Sequence, residues 1–154
     1  MYMENLQLRE KRFARVDNLM WKVTRLLYKR KKSILDEFDL TCSQYEILAA
    51  INQFLDKNNE IIQINLSEKT QIDPMTTSTV LRNLQKRGLI KRERGLVNTR
   101  TVEVKLTNTG KNIYNQARKK IDKMQEEIYQ NLDCPNFSSQ LSLLSDKLNK
   151  KVNY

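Results

Sequence analysis

Between Arg82 and Arg100 the chain carries seven Lys and Arg residues against one acid, Glu93, so nineteen residues hold six of its ten net positive charges. Cations at this density neutralise phosphates, and a planar guanidinium can bond two acceptors on a guanine edge at once. Just upstream stands a set of small hydrogen-bonding side chains. Thr76, Ser78, Thr79 and Arg82 are the expected readers of bases or adjacent phosphates, with Arg82 as the guanine reader and Asn83 on the same face. Lys86, Arg87, Arg92 and Arg94 are expected to neutralise phosphate. A basic run is also what a solvated helix face looks like. The pattern on which this one falls decides for nucleic acid.

Other chemistries find little support. The chain has no histidine, which removes His-based triads, most zinc sites and the usual general base near neutral pH. No glycine-rich phosphate loop occurs. No spacing of carboxylates or lysines favours catalysis, so neither enzyme activity, nor a cofactor, nor a metal is expected. The two cysteines, Cys42 and Cys134, make no disulfide framework or metal cluster. Cys42 opens a helix, where the dipole lowers a thiol pKa. A thiol switch there is one alternative, and a buried structural thiol is the other.

The elements that must carry these residues are legible. Asp73 is a good helix N-cap, and Pro74 falls at the first helical position, where its missing N–H costs nothing. Thr77, Val80, Leu81 and Leu84 recur at helical spacing and predict a buried face opposite Thr76, Ser78, Thr79, Arg82, Asn83 and Lys86. Gly88 ends the helix. Leu89 and Ile90 begin a strand, Gly95 to Asn98 turns the chain, and Val102, Val104 and Leu106 alternate inward on the return strand. Helix plus basic hairpin make a winged helix, with the helix suited to a major groove and the hairpin, with Arg near its tip, to a minor groove.

Upstream, residues from about Asn5 to Phe38 predict one long helix with Phe13, Val16, Leu19, Met20, Val23, Leu26, Leu27, Ile34 and Phe38 at three/four spacing. Trp21 and Tyr28 widen that apolar surface beyond one stripe, so part of it should face a second subunit or a ligand cavity. The basic run Lys29 to Lys32 reads as solvated surface. Thr41 and Gln44 form a capping box, flanked by the staple pair Leu40 and Tyr45. Ile61 to Ile64 predicts a third strand for the wing sheet. Asn65 to Glu68 predicts a cap and a short helix reaching Gln71, with Lys69 facing phosphate. Downstream, Thr107 caps a helix carrying Ile113, Tyr114, Ala117, Ile121, Met124 and Ile128. A break at residues 133–136 precedes a last helix from about Phe137, with Leu141, Leu144, Leu148 and Val152.

At 154 residues the chain is most simply one domain. Residues 41–107 form the winged helix-turn-helix lobe, and 1–40 with 108–154 form a helical dimerisation region. The fold class is mainly α with a small β-hairpin. No apolar run spans a membrane and no signal-peptide plan opens the sequence, so a cytoplasmic location without a membrane partner is expected.

This order of elements, with Leu40-Thr-Cys-Ser-Gln-Tyr-Glu-Ile-Leu48, Leu84-Gln-Lys-Arg-Gly-Leu-Ile90 and Val104-Lys-Leu-Thr-Asn-Thr-Gly110, resembles the MarR (multiple antibiotic resistance regulator) family of bacterial transcription factors. The resemblance covers nearly the whole chain. It implies a homodimer on double-stranded, pseudo-palindromic DNA and often a small-molecule switch. Ser78, Thr79 and Arg82 match positions that face DNA in the family. The family's wing usually carries Asp-x-Arg; here it reads Asn98-Thr99-Arg100, which keeps the arginine and replaces a charged clamp by a neutral hydrogen bond. Gln71 stands where family members often have glycine. The resemblance also implies a cavity for an aromatic or phenolic effector, lined by Trp21, Tyr28 and Tyr45, although aromatics at helical spacing are more often core.

The reading is thus a dimeric, sequence-specific regulator, most simply a ligand-responsive repressor. Its alternatives are an architectural DNA binder that reads no fixed sequence and a regulator switched by oxidation of Cys42.

Overall fold

The computed structural model describes the backbone at residues 2–55, 61–94 and 102–149 and side chains at 9–54, 61–94 and 102–149. The elements run α1 (Tyr2–Leu35), a 3₁₀ turn (Asp36–Phe38), α2 (Cys42–Leu55), α3 (Gln63–Thr70), α4 (Pro74–Lys86), β1 (Ile90–Arg94), β2 (Val102–Leu106), α5 (Asn108–Tyr129) and α6 (Cys134–Asn149). The chain divides into two compact units, Met1–Arg118 and Lys119–Tyr154.

In the first unit, helices start where local hydrogen bonding dictates. The Thr41 N–H donates to Gln44 Oε1 at 3.0 Å and the Gln44 N–H to Thr41 Oγ1 at 3.1 Å, closing the expected capping box of α2. Leu40 and Tyr45, the staple pair, are both buried. The core is built from Leu35 and Leu40, Ile47, Leu48 and Ile51 of α2, Leu66 of α3, Leu81 and Leu84 of α4, and Leu89, Ile90 and Val104 around the hairpin.

α3 and α4 form the helix-turn-helix pair. Ser67 Oγ (2.6 Å) and Thr77 Oγ1 (3.2 Å) both donate to the Ile72 carbonyl in the turn between them. Gln71 takes the left-handed conformation usual for glycine, φ 57°, and its side chain donates to the Glu68 carbonyl at 2.7 Å. The family's glycine turn is therefore kept by a residue for which that backbone is strained.

Several expectations are corrected. The long helix ends at Leu35, and residues 36–38 tighten into a 3₁₀ turn. The third strand is only one bridge, Ile62 with Glu103, with the Val104 N–H donating to the Ile61 carbonyl at 2.8 Å. Asn65 is not the N-cap of α3. It lies inside the first turn and its Oδ1 accepts the Ile62 N–H at 3.2 Å, so the helix begins at Gln63. Val102 does not point inward; it is 44% exposed, and Val104 alone in β2 is buried. The second unit holds the end of α5, where Ile121 and Met124 are buried, and α6. α6 starts at Cys134, not Phe137. Asp133, read as part of a break, is its cap, accepting the Asn136 N–H at 3.2 Å.

Candidate nucleic-acid interface

α4 is fixed at both ends. Asp73 Oδ1 accepts the Thr76 N–H at 2.9 Å, and Pro74 occupies the first turn. These hydrogen bonds hold the Asp73 carboxyl below its ordinary pKa. At the other end Gly88 has φ 69°. Its N–H donates to the Gln85 carbonyl at 2.9 Å and the Leu89 N–H to the Leu84 carbonyl at 3.0 Å, the paired bonds of a Schellman stop.

Thr77, Val80, Leu81 and Leu84 are buried, as expected. That burial turns Thr76, Thr79, Arg82, Asn83 and Lys86 outward as exposed side chains, with Ser78 half-buried. Arg82 Nη2 donates to Thr79 Oγ1 at 3.3 Å, and Thr79 Oγ1 in turn donates to the Met75 carbonyl at 3.2 Å. This loose surface chain engages one of the five donors of the guanidinium. Met75 shares the face and is 80% exposed; as an apolar residue in the first turn it carries no hydrogen-bonding signal that would mark it in the sequence.

The hairpin pairs β1 and β2 antiparallel, with Ile90 opposite Leu106 and Arg94 opposite Val102. Glu93 and Glu103 face one another. Lys105 bridges this like-charge pair, at 3.7 Å from Glu93 and 2.9 Å from Glu103. Arg94 is exposed. Arg92 lies opposite the buried Val104 and is half-buried, with its Nε enclosed and without a hydrogen-bond partner. The enclosed Nε is closed to a phosphate, which leaves the two terminal nitrogens of the fork. Asn98 and Arg100 lie outside the described residues.

Arg87, expected to neutralise phosphate, bonds to the body of the protein. Its Nη1 donates to the Asp39 carbonyl at 2.6 Å and to Gln44 Oε1 at 3.4 Å, and its Nη2 to the Phe38 carbonyl at 3.4 Å. These bonds tie the guanidinium to the α1–α2 elbow. No spacing signal announces such a bond between residues 48 apart in sequence.

The three aromatics expected to line one cavity are not brought together. Tyr45 is buried, with its ring 5.7 Å from that of Tyr114 and Lys31 Nζ 5.3 Å from its centroid. It borders an open cleft of about 390 Å³ with Lys31, Glu46, Lys69 and Thr70. Lys31, expected in a solvated run, is paired with Glu46 at 3.0 Å. Trp21 borders a different cleft, of about 450 Å³, along α1 with Asn18, Lys22, Arg25 and Leu26. Tyr28 is 55% exposed on α1. Cys42 is buried, and burial pushes its thiol pKa up against the smaller opposing pull of the Lys31 ammonium. Burial thus opposes the activated thiol that a helix start would favour.

Residues 29–124 match the family described as Transcriptional regulator SarA/Rot, which is more than half of the chain. The chain belongs to the SarA/Rot family of transcriptional regulators. It is 27% identical over 111 residues to the HTH-type transcriptional regulator YdcH of Bacillus subtilis, covering 72% of this chain and 76% of that protein. The fold is that of CouR from Rhodococcus jostii RHA1, solved bound to p-coumaroyl-CoA (TM-score 0.77, 14% identity, 90% of this chain and 95% of CouR). It is also that of MepR from S. aureus in its DNA complex (TM-score 0.72, 21% identity, 84% of this chain and 91% of MepR). The expected MarR-type winged-helix fold stands, and the protein is a transcriptional regulator of the SarA/Rot type.

Proposed function

We propose that this regulator works as a homodimeric repressor whose two α4 helices read the half-sites of a pseudo-palindromic operator. The observation that carries the reading is the outward face of α4. Thr76, Thr79, Arg82, Asn83 and Lys86 are exposed on a helix capped at both ends, above a fully packed inner face. Arg82 reads guanine, while Thr76, Ser78 and Thr79 bond bases or adjacent phosphates. Lys86 and Arg94, with the ends of Arg92, neutralise phosphate, and the Asn98–Arg100 segment enters the minor groove. The DNA-bound MepR structure supports a DNA partner for the shared fold.

A second copy of the chain covers the apolar surface of α1. Phe13, Val16, Leu19, Trp21, Val23 and Leu26 are all exposed there, a series too long for a solvated helix. In the dimer the two reading helices lie about one turn of DNA, roughly 34 Å, apart. An aromatic or phenolic effector acts by favouring a half-site spacing that misfits DNA, and this requires unequal affinity for the two states. The p-coumaroyl-CoA held by CouR supports a small-molecule partner, and the cleft beside Tyr45 is its candidate seat.

Selection of binders from a random duplex pool at near-physiological salt tests the reading. Enrichment of a two-fold symmetric site is expected, with Arg82→Ala abolishing preference for guanine at one position in each half. Salt-sensitive retention without enrichment would instead make the protein an architectural DNA binder.

A further inference from the structure

Met75 is the most exposed large apolar residue among those described, at 80%. It stands in the first turn of α4, and that turn is held firmly. Asp73 caps it through the Thr76 N–H, the Thr77 N–H donates to the Asp73 carbonyl at 2.9 Å, and Gln63 Nε2 reaches the Pro74 carbonyl at 3.3 Å. The other apolar residues within α4, Val80, Leu81 and Leu84, are buried. Met75 is therefore a single thioether set in a polar, basic face, with Thr79 one turn on and Arg82 two turns on.

A protein partner that covered Met75 would also have to cover Arg82 and Lys86, whose charges suit a polyanion. Within the major groove of DNA, the apolar group on a base edge is the C5-methyl of thymine. A flexible, polarizable thioether adapts readily to such a group.

We infer that Met75 is a specificity-determining residue that packs on a thymine methyl, so that each half-site carries a thymine at a fixed distance from the guanine read by Arg82. The inference rests on the sequence-reading role proposed above and adds what is read. Met75 and Arg82 are seven residues apart, about 10.5 Å along the helix, so the two bases they meet lie within about three base-pair steps of 3.4 Å of one another.

The test uses the full chain and the duplex enriched by selection. Each thymine is replaced in turn by uracil, which removes the C5-methyl and leaves the hydrogen-bonding edge intact. At one thymine per half-site, within about three base pairs of the Arg82-dependent guanine, the wild type should lose about three- to fivefold in affinity, the value of one buried methyl. Met75→Ala should bind the thymine and uracil duplexes equally, and Met75→Leu should retain the difference. Both variants should melt as the wild type does, since the side chain is exposed. A wild type indifferent to uracil at every thymine, or a Met75→Ala protein that keeps the full sensitivity, would overturn the assignment. With a site enriched, either result leaves sequence reading standing and removes Met75 alone. Failure to enrich any site removes both.

Discussion

Arg87 Nη1 donates to the backbone carbonyl of Asp39 at 2.6 Å, tying the end of α4 to the elbow between α1 and α2. Asp39 is itself left-handed, φ 53°, so the carbonyl is presented by a residue that pays for its conformation. The Phe38 carbonyl and Gln44 Oε1 complete the clamp. Gln44 Oε1 also receives the Thr41 N–H of the α2 capping box. One arginine thus joins three helix ends. Replacing it by alanine should destabilise the protein by about 1–2 kcal/mol, because the bonds are charge-assisted and partly exposed. Lysine should not restore the loss, since it lacks the planar fork. Urea melts of the two variants measure this. DNA titrations measure the rest: the slope of log affinity against log salt should stay at the wild-type value in Arg87→Lys and Arg87→Ala alike. A slope shallower by about 0.9 in Arg87→Ala alone would return Arg87 to the phosphate contacts.

The wing is held to the body by backbone contact at a glycine. Thr107 caps α5, accepting the Gly110 N–H at 3.0 Å, and its hydroxyl donates to the Gly88 carbonyl at 2.7 Å. A Cβ at residue 110 would lie 1.9 Å from the Leu89 carbonyl oxygen, a contact with backbone that cannot rotate away. Gly88 is the opposite case: its φ of 69° is left-handed, but nothing lies within 4 Å of an added Cβ. Gly110→Ala should therefore cost about 3 kcal/mol or more. Gly88→Ala should cost about 1–2 kcal/mol, the backbone penalty alone. Denaturant midpoints at equal m-value separate the two. Equal losses would mean that α5 shifts freely away from Leu89.

What was legible in the sequence follows from the range of the interactions. The caps at Thr41, Asp73 and Thr107 were readable because each is settled within three residues of its own position. The inner face of α4 was readable for the same reason, since period alone separates Thr77, Val80, Leu81 and Leu84 from the rest. Asn65 misled because a side chain of capping type can serve from inside the first turn as well as before it. Asp133 misled because Pro135 looks like a breaker, although a proline is equally at home just inside a helix start. Arg87 and Lys31 were beyond sequence reasoning. Their partners, Asp39 and Glu46, lie 48 and 15 residues away, and only the packing of α1, α2 and α4 brings them near.

Stability should depend on the charge of Asp73 in acid. Hydrogen bonds from the first turn of α4 favour its carboxylate, so its folded pKa lies below the unfolded value of about 3.9. A depressed folded pKa means that the unfolded chain takes up the proton first. The stabilisation is therefore complete above the unfolded pKa and is lost as pH falls through the folded one. Asn caps helices about as well as Asp but carries no charge. Asp73→Asn should be less stable than wild type at pH 7, and the gap should close as the pH drops below about 4. Urea melts across this range give the comparison. A gap that widened toward acid would show that the carboxylate is not favoured by folding.

The two cysteines should behave oppositely toward alkylation. Cys42 is buried, and burial raises its thiol pKa despite the nearby Lys31 ammonium, so little thiolate is available near neutrality. Cys134 is exposed at the start of α6, with its Sγ 3.6 Å from the Tyr129 carbonyl. Because the attacking species is the thiolate and access is also required, iodoacetamide should modify Cys134 in the native protein and reach Cys42 only after denaturation. Mass spectrometry of peptides from native and urea-treated samples reads both sites. Peroxide should correspondingly leave DNA binding of Cys134→Ser unchanged. Rapid native labelling of Cys42, together with peroxide-sensitive DNA binding that Cys42→Ser removes, would restore the thiol switch.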